Sequence, residues 1–197
     1  MKIIGLTGGT GSGKGFVSAY LLENGAYVID ADNIAHKIIL KGEPAYNEIV
    51  DYFGKGILDK EGNIIRKELG KIVFADSVKL EALNSFTHKY VGLEVLKHIR
   101  LAKAQKDKYK FIVYDAPLLI DTDFIHSCDE VWSVYADKDV RLKRIMERDG
   151  ISHLEAEKRI HSQKDWESYK KLSDVILDNS KDFGHIKSQL DDLLAKI

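Results

Sequence analysis

Seven consecutive residues carry the most specific chemistry in this chain: Gly8-Gly9-Thr10-Gly11-Ser12-Gly13-Lys14. Glycines at these intervals let a loop turn its N–H groups inward around an anionic phosphate. A helix that begins directly after the loop adds the positive end of its dipole. The lysine is spaced to reach the outer phosphates of a nucleotide. Nucleotide contacts are therefore expected along Gly9, Thr10, Gly11, Ser12, Gly13, Lys14, Gly15 and Phe16. One position departs from the pattern. The residue after the lysine ordinarily offers a hydroxyl to Mg²⁺, and here it is Gly15, which has no side-chain oxygen. Two outcomes stay open: the ion is held through the nucleotide and a carboxylate, or phosphoryl transfer is impaired.

Five further side chains could act beside such a loop. Asp30 and Asp32 flank Ala31 where an apolar run ends, and in an extended segment a spacing of two turns both carboxylates to one face. Either can accept a substrate proton or hold a metal-bound water; the competing reading is a helix cap near Asn33. Asp115 closes another apolar run and is the expected carboxylate that holds Mg²⁺ through water. Arg144 and Arg148 lie four apart on one helical face, close enough to serve the same anion and to neutralise charge on a transferring phosphoryl group. None of the seven histidines pairs with another at metal-ligand spacing.

The elements that must position these residues can be read from hydrophobic period. Lys2 to Thr7, Ala26 to Ile29, Phe111 to Tyr114, Val131 to Tyr135 and Val175 to Leu177 are short apolar runs rich in β-branched and aromatic residues. Helical patterns separate them, beginning with Phe16, Val17, Tyr20 and Leu21. Alternation of this kind predicts an α/β fold, a mostly parallel sheet of about five strands covered on both faces. About eighty residues stand between the second and third runs, far more than one crossover helix needs. They predict an inserted helical subdomain at about 33–105, with Pro44 near a helix start and a long helix over Ser77 to Gln105. A charge-dense segment, Asp137 to Lys171, reads either as a solvated helical hairpin or, with its arginines, as a lid at about 141–168.

Composition excludes several classes. Thirty Lys and Arg against thirty-one Asp and Glu give a net charge of −1, with no electrostatic footprint for nucleic acid. The longest uncharged stretch, Ile3 to Gly13, has eleven residues and five glycines, too short and broken for a membrane span or a secretory signal. One cysteine, Cys128, allows no internal disulfide and suits a reducing, cytoplasmic setting. At 197 residues a single domain is expected, and a monomer is favoured.

Taken together, the residues resemble the dephospho-CoA kinase family of P-loop kinases over positions 2 to 194. The opening Gly5 to Lys14, the run Val28-Ile-Asp-Ala-Asp-Asn-Ile-Ala35, and Asp115-Ala-Pro-Leu-Leu119 are similar to that family's signatures. Phe53-Gly54, Asp59, Gly62, Arg66, Leu69, Val73-Phe74 and His88 follow in its order, as do Arg144, Arg148-Asp149, Gln163 and Asp178-Asn179. The resemblance implies transfer of a phosphoryl group from ATP, with Mg²⁺, to the ribose 3′-hydroxyl of dephospho-CoA, the last step of coenzyme A synthesis. It implies Asp32 as the base, Lys14, Arg144 and Arg148 as catalytic cations, and Asn179 at the nucleotide. Asp32, Arg66, His88, Pro117 and Leu118 are the implied substrate contacts, with the insertion holding the CoA moiety. Gly15, Lys89 and Asp121 depart from the family's usual residues. The alternatives are another small-molecule P-loop kinase acting on a nucleoside or nucleotide, or a nucleotide-binding protein whose turnover Gly15 has weakened. A regulatory GTPase is disfavoured, since no Asn-Lys-x-Asp guanine motif occurs.

Overall fold

The computed structural model describes residues 1–197, which divide into two compact units. The first comprises residues 1–29 and 102–197; the second comprises residues 30–101.

In the first unit β1 (Ile3–Thr7) leads through the glycine loop into α1 (Lys14–Glu23), and Asn24 and Gly25 turn the chain into β2 (Ala26–Asp30). After the second unit come β3 (Phe111–Asp115), β4 (Glu130–Tyr135), α6 (Lys138–Asp149), α7 (His153–His161), α8 (Trp166–Lys171), β5 (Val175–Asp178) and α9 (Phe183–Leu194). The sheet order is β2-β3-β1-β4-β5. β1 sits in the middle, pairing in parallel with β3 and with β4, and β4 pairs in parallel with β5. The predicted strands are thus found where the apolar runs lie. Alternate residues explain the packing: Ile4, Leu6, Phe111, Val113, Trp132 and Val134 turn to one face and meet Val17 and Leu21 of α1 and Ile186 and Leu190 of α9. On the other face Gly5 leaves room that a Cβ would fill, because Leu119 and Cys128 press against it at 2.5 and 2.9 Å from that position.

The second unit holds α2 (Ala31–Lys37), α3 (Pro44–Phe53), α4 (Arg66–Phe74) and α5 (Ser77–Ala104) up to residue 101. Pro44 takes the first helical position of α3, where its missing N–H costs nothing. α5 continues unbroken for 28 residues through Lys89, which pairs with Glu48 on α3.

The charge-dense segment is a helical hairpin, α6 against α7, sealed by Leu142, Ile145 and Ala156, followed by the short α8. Ser152 and Glu155 form a reciprocal capping box at the start of α7. No helix is long and apolar enough to cross a membrane.

Candidate active site

β1 and β3 deliver the loop and an acidic residue to the same end of the sheet, since Leu6 is in register with Asp115 and Lys14 opens α1 just beyond. Gly11 and Gly13 have φ of 76° and 92°, backbone that only glycine adopts without strain, and Gly13 caps α1. A Cβ at Gly13 would also collide with the Asn179 amide. The loop closes through Ser12 N–H donating to Gly9 O at 3.0 Å. The Ser12 hydroxyl is buried and has no hydrogen-bond partner in the protein. An orphaned hydroxyl in a glycine loop at a helix start fits a phosphate anion.

Side chains from α6 and from the segment after β5 hold the loop from outside. Asn179, 7% exposed, donates from Nδ2 to Ser12 O at 2.7 Å. Arg144 donates to Asn179 O at 3.0 Å and to Ser12 O and Gly11 O at 3.3 and 3.4 Å. Arg141, which spacing did not single out, donates from Nε to Thr10 O at 2.8 Å, and Gln163 Oε1 accepts from Thr10 N–H at 2.7 Å. A sequence signal for Arg141 existed: residues 141, 144 and 148 recur on one helical face. Burial lowers the Arg141 pKa from its ordinary value, which for a guanidinium leaves it charged.

Lys14 Nζ is ion-paired with Asp115 Oδ1, and Asp115 is 8% exposed. The lysine expected on phosphate and the carboxylate expected on the metal therefore hold each other. Thr7 Oγ1 donates to Pro117 O at 3.1 Å, while Leu118 is 62% exposed. The Phe16 ring packs edge-on against Phe183, centroids 5.0 Å apart. Gly15 has open space where a side chain would stand, with nothing within 4 Å of a Cβ.

Arg148 makes a two-pronged pair with Asp149 at 2.7 and 2.9 Å, and Arg159 joins the same carboxylate. The hydrogen-bonded Asp149 carboxylate raises the Arg148 pKa from its ordinary value, and Arg148 in turn lowers that of Asp149. Asp30 and Asp32 do not share the face of an extended segment, because helix α2 begins between them. Asp30 is the cap, accepting from Asn33 N–H at 2.9 Å, and Asp32 lies in the first turn. A carboxylate suits either place, since it satisfies an orphan amide or faces the dipole's positive end.

Within the second unit Arg66 starts α4 and reaches His36 O at 3.4 Å. It borders an apolar cleft of about 270 Å³ lined also by Ile39, Leu69, Val73 and Phe74. His88 is exposed on α5 and does not line that cleft. No group of three His, Cys, Asp or Glu side chains gathers anywhere in the chain as a ready metal cage.

Comparison with known proteins adds an independent line. Residues 2–184 match the family model described as CoaE, dephospho-CoA kinase. The dephospho-CoA kinase of Carboxydothermus hydrogenoformans is 44% identical over 196 residues, covering 100% of this chain and 94% of that one. The solved dephospho-CoA kinase from Campylobacter jejuni superimposes with a TM-score of 0.72 at 30% identity, covering 100% of this chain and 97% of the other. The shikimate kinase of Bacteroides thetaiotaomicron, at 14% identity and a TM-score of 0.51 over 100% of this chain and 99% of its own, shares the P-loop kinase fold alone.

Proposed function

The chain belongs to the dephospho-CoA kinase family, and from that membership we propose how its own residues carry an ATP-dependent phosphoryl transfer to the ribose 3′-hydroxyl of dephospho-CoA, yielding ADP and coenzyme A. The observation that carries the reading is the phosphate loop itself. It brings Lys14 and the buried, unpartnered Ser12 hydroxyl to the carboxyl end of the central strand, and Arg144 binds the loop's own carbonyls.

In this mechanism the loop amides and Lys14 hold the β- and γ-phosphates in line with the acceptor. The 3′-oxygen forms a bond to the γ-phosphorus as the bond to the β,γ-bridging oxygen breaks, and ADP leaves with that electron pair. Asp32 accepts the hydroxyl proton; its support is its place two residues beyond the carboxyl end of β2, at the start of a helix. Arg144 and Arg148 neutralise charge spread over the transferring oxygens.

Mg²⁺ fits the donor set in one respect. Asp115 is a hard carboxylate next to Lys14, and with Gly15 offering no oxygen the remaining ligands would be nucleotide oxygens and water. When bound it would withdraw charge from the β- and γ-oxygens. Arg66 and the apolar cleft beside it support substrate binding by the second unit.

The test is product analysis by mass spectrometry with ATP and dephospho-CoA, run beside a panel of nucleosides and nucleotides. One added phosphate on dephospho-CoA alone is the expected result. Phosphate on a nucleoside instead would overturn the substrate, and no product with any divalent metal would overturn the activity.

A further inference from the structure

Thr10 offers both of its peptide groups to the charge-dense segment. Its N–H donates to Gln163 Oε1 at 2.7 Å and its carbonyl accepts from Arg141 Nε at 2.8 Å. Arg141 Nη2 reaches the same Gln163 oxygen at 3.3 Å, so three hydrogen bonds form a ring around one residue of the phosphate loop. Arg141 comes from α6 and Gln163 from the connection after α7, so both ends of the hairpin grip the same residue through its two flanking peptides. Two glycines make room for that grip. A Cβ on Gly9 would stand 2.6 Å from Arg141 Nη2 and 3.2 Å from Gln163 Oε1, and one on Gly11 would stand 2.8 Å from the Arg141 carbonyl oxygen.

The charge pattern is as specific as the geometry. Asp149 takes both Arg148 and Arg159, whereas Arg141 and Arg144 donate to carbonyl and amide oxygens. Two guanidinium charges, each partly buried, thus converge on the loop with no acid to offset them. A half-buried cation paired only with dipoles is costly in the free protein and is relieved by an incoming anion.

We propose that Arg141 is a positioning residue for the phosphoryl donor. With Gln163 it fixes both peptides of Thr10, so that the loop backbone is preset for phosphate, and its charge favours a polyanion there. This rests on the reading above that the donor is a nucleoside triphosphate. A preset loop binds ground state and transition state alike, so its loss raises KM and leaves kcat nearly unchanged.

The test compares Arg141→Gln, Arg141→Lys and Gln163→Ala by calorimetric binding of ATP and of inorganic tripolyphosphate, together with steady-state kinetics. Arg141→Gln should weaken both ligands about tenfold, the scale of one charge-assisted hydrogen bond, while kcat and the KM for the acceptor shift less than about threefold. Equal losses for the two probes tie the effect to phosphate, because tripolyphosphate has no base. Arg141→Lys keeps the charge without the fork and should recover part of the loss. In Arg141→Gln/Gln163→Ala the losses should not multiply, since both side chains act on one residue and on each other.

Unchanged binding of both probes by a folded Arg141→Gln, a loss confined to ATP, or multiplying losses would each overturn the proposal. Should Arg141→Gln fail to fold, Arg141→Lys and Gln163→Ala decide by the same criteria. The binding arms need no acceptor, so absent turnover with dephospho-CoA would count against the proposed reaction and leave this inference standing.

Discussion

Lys14 and Asp115, one opening α1 and the other closing β3, are ion-paired across neighbouring strands with side-chain exposures of only 18% and 11%. On the proposed reading a donor phosphate would compete with this carboxylate for the Lys14 ammonium. Asp115→Asn removes the competitor and also leaves the ammonium without its counter-charge. The loss should fall between those of exposed and fully buried pairs, about 2 kcal/mol, or a melting temperature lower by roughly 4–8 °C. Metal-free ATP should bind more tightly to this variant, while turnover falls at least ~10²-fold. Calorimetry in chelator and a melting curve decide it; unchanged metal-free affinity would show that the carboxylate does not compete.

Why this relationship escaped the sequence is physical. Register between β1 and β3 is a long-range property, and nothing near residue 14 or residue 115 encodes that Leu6 stands opposite Asp115. Local features were legible where one period or one turn residue dominates: the five strands, the glycine loop before α1, Pro44 at the start of α3, and the uninterrupted α5. The Asp30-Ala31-Asp32 geometry was misjudged because an aspartate at a strand end serves equally well as a helix cap, and the capping bond to Asn33 wins. Arg141 escaped because its partners, Thr10 and Gln163, are 131 and 22 residues away.

Asp32 is asked to take one proton and nothing else. Asp32→Asn should therefore lose roughly 10²-fold or more in turnover with ATP affinity nearly unchanged. Nucleotide titration beside steady-state rates checks this. A parallel loss of ATP affinity in the presence of Mg²⁺ would make Asp32 a metal ligand instead of a base.

On the proposed mechanism Arg148 would leave Asp149 to reach the transferring phosphoryl group. That pair is exposed on the arginine side, 60%, and exposed pairs are worth only about 0–1 kcal/mol, so release is cheap. Arg148→Ala should lower kcat by roughly 10³-fold with little change in KM. Asp149→Ala should leave kcat within about twofold, since it only frees a side chain that is already easily freed. A raised KM for ATP in Arg148→Ala with kcat intact would make Arg148 a ground-state contact.

Cys128 tests the packing on the far side of β1. Burial, with help from Asp129, pushes its thiol up to about 12, and Sγ lies against the position a Gly5 side chain would need. At pH 8 the native thiol should react with iodoacetamide about 10³-fold more slowly than the unfolded chain, because the thiolate is the nucleophile. The folded pKa is above the unfolded one, so the unfolded state ionises first as pH rises past about 9. Stability is then lost from there toward about 12. Cys128→Ala should remove that part of the alkaline decline. Equal alkylation rates in the folded and unfolded protein would refute the burial.

Gly15 stands in the first turn of α1 with nothing within 4 Å of a side chain placed there, and its φ is not in the left-handed region. Gly15→Ser can therefore enter without strain. It removes a glycine from the helix, a gain of up to about 0.5 kcal/mol in a first turn, so the melting temperature should rise by roughly 1–2 °C. It also restores a hydroxyl one residue beyond Lys14. If Mg²⁺ at present relies on nucleotide oxygens, water and Asp115, one added protein oxygen offset by a displaced water should improve apparent metal affinity by up to about tenfold, or ~1.4 kcal/mol. Turnover against free Mg²⁺ at saturating ATP, measured for both proteins, separates the two effects, because the stability gain does not move the metal midpoint. Superimposable metal curves with a raised melting temperature would show that Gly15 matters to the helix alone and that the metal is already fully satisfied without it.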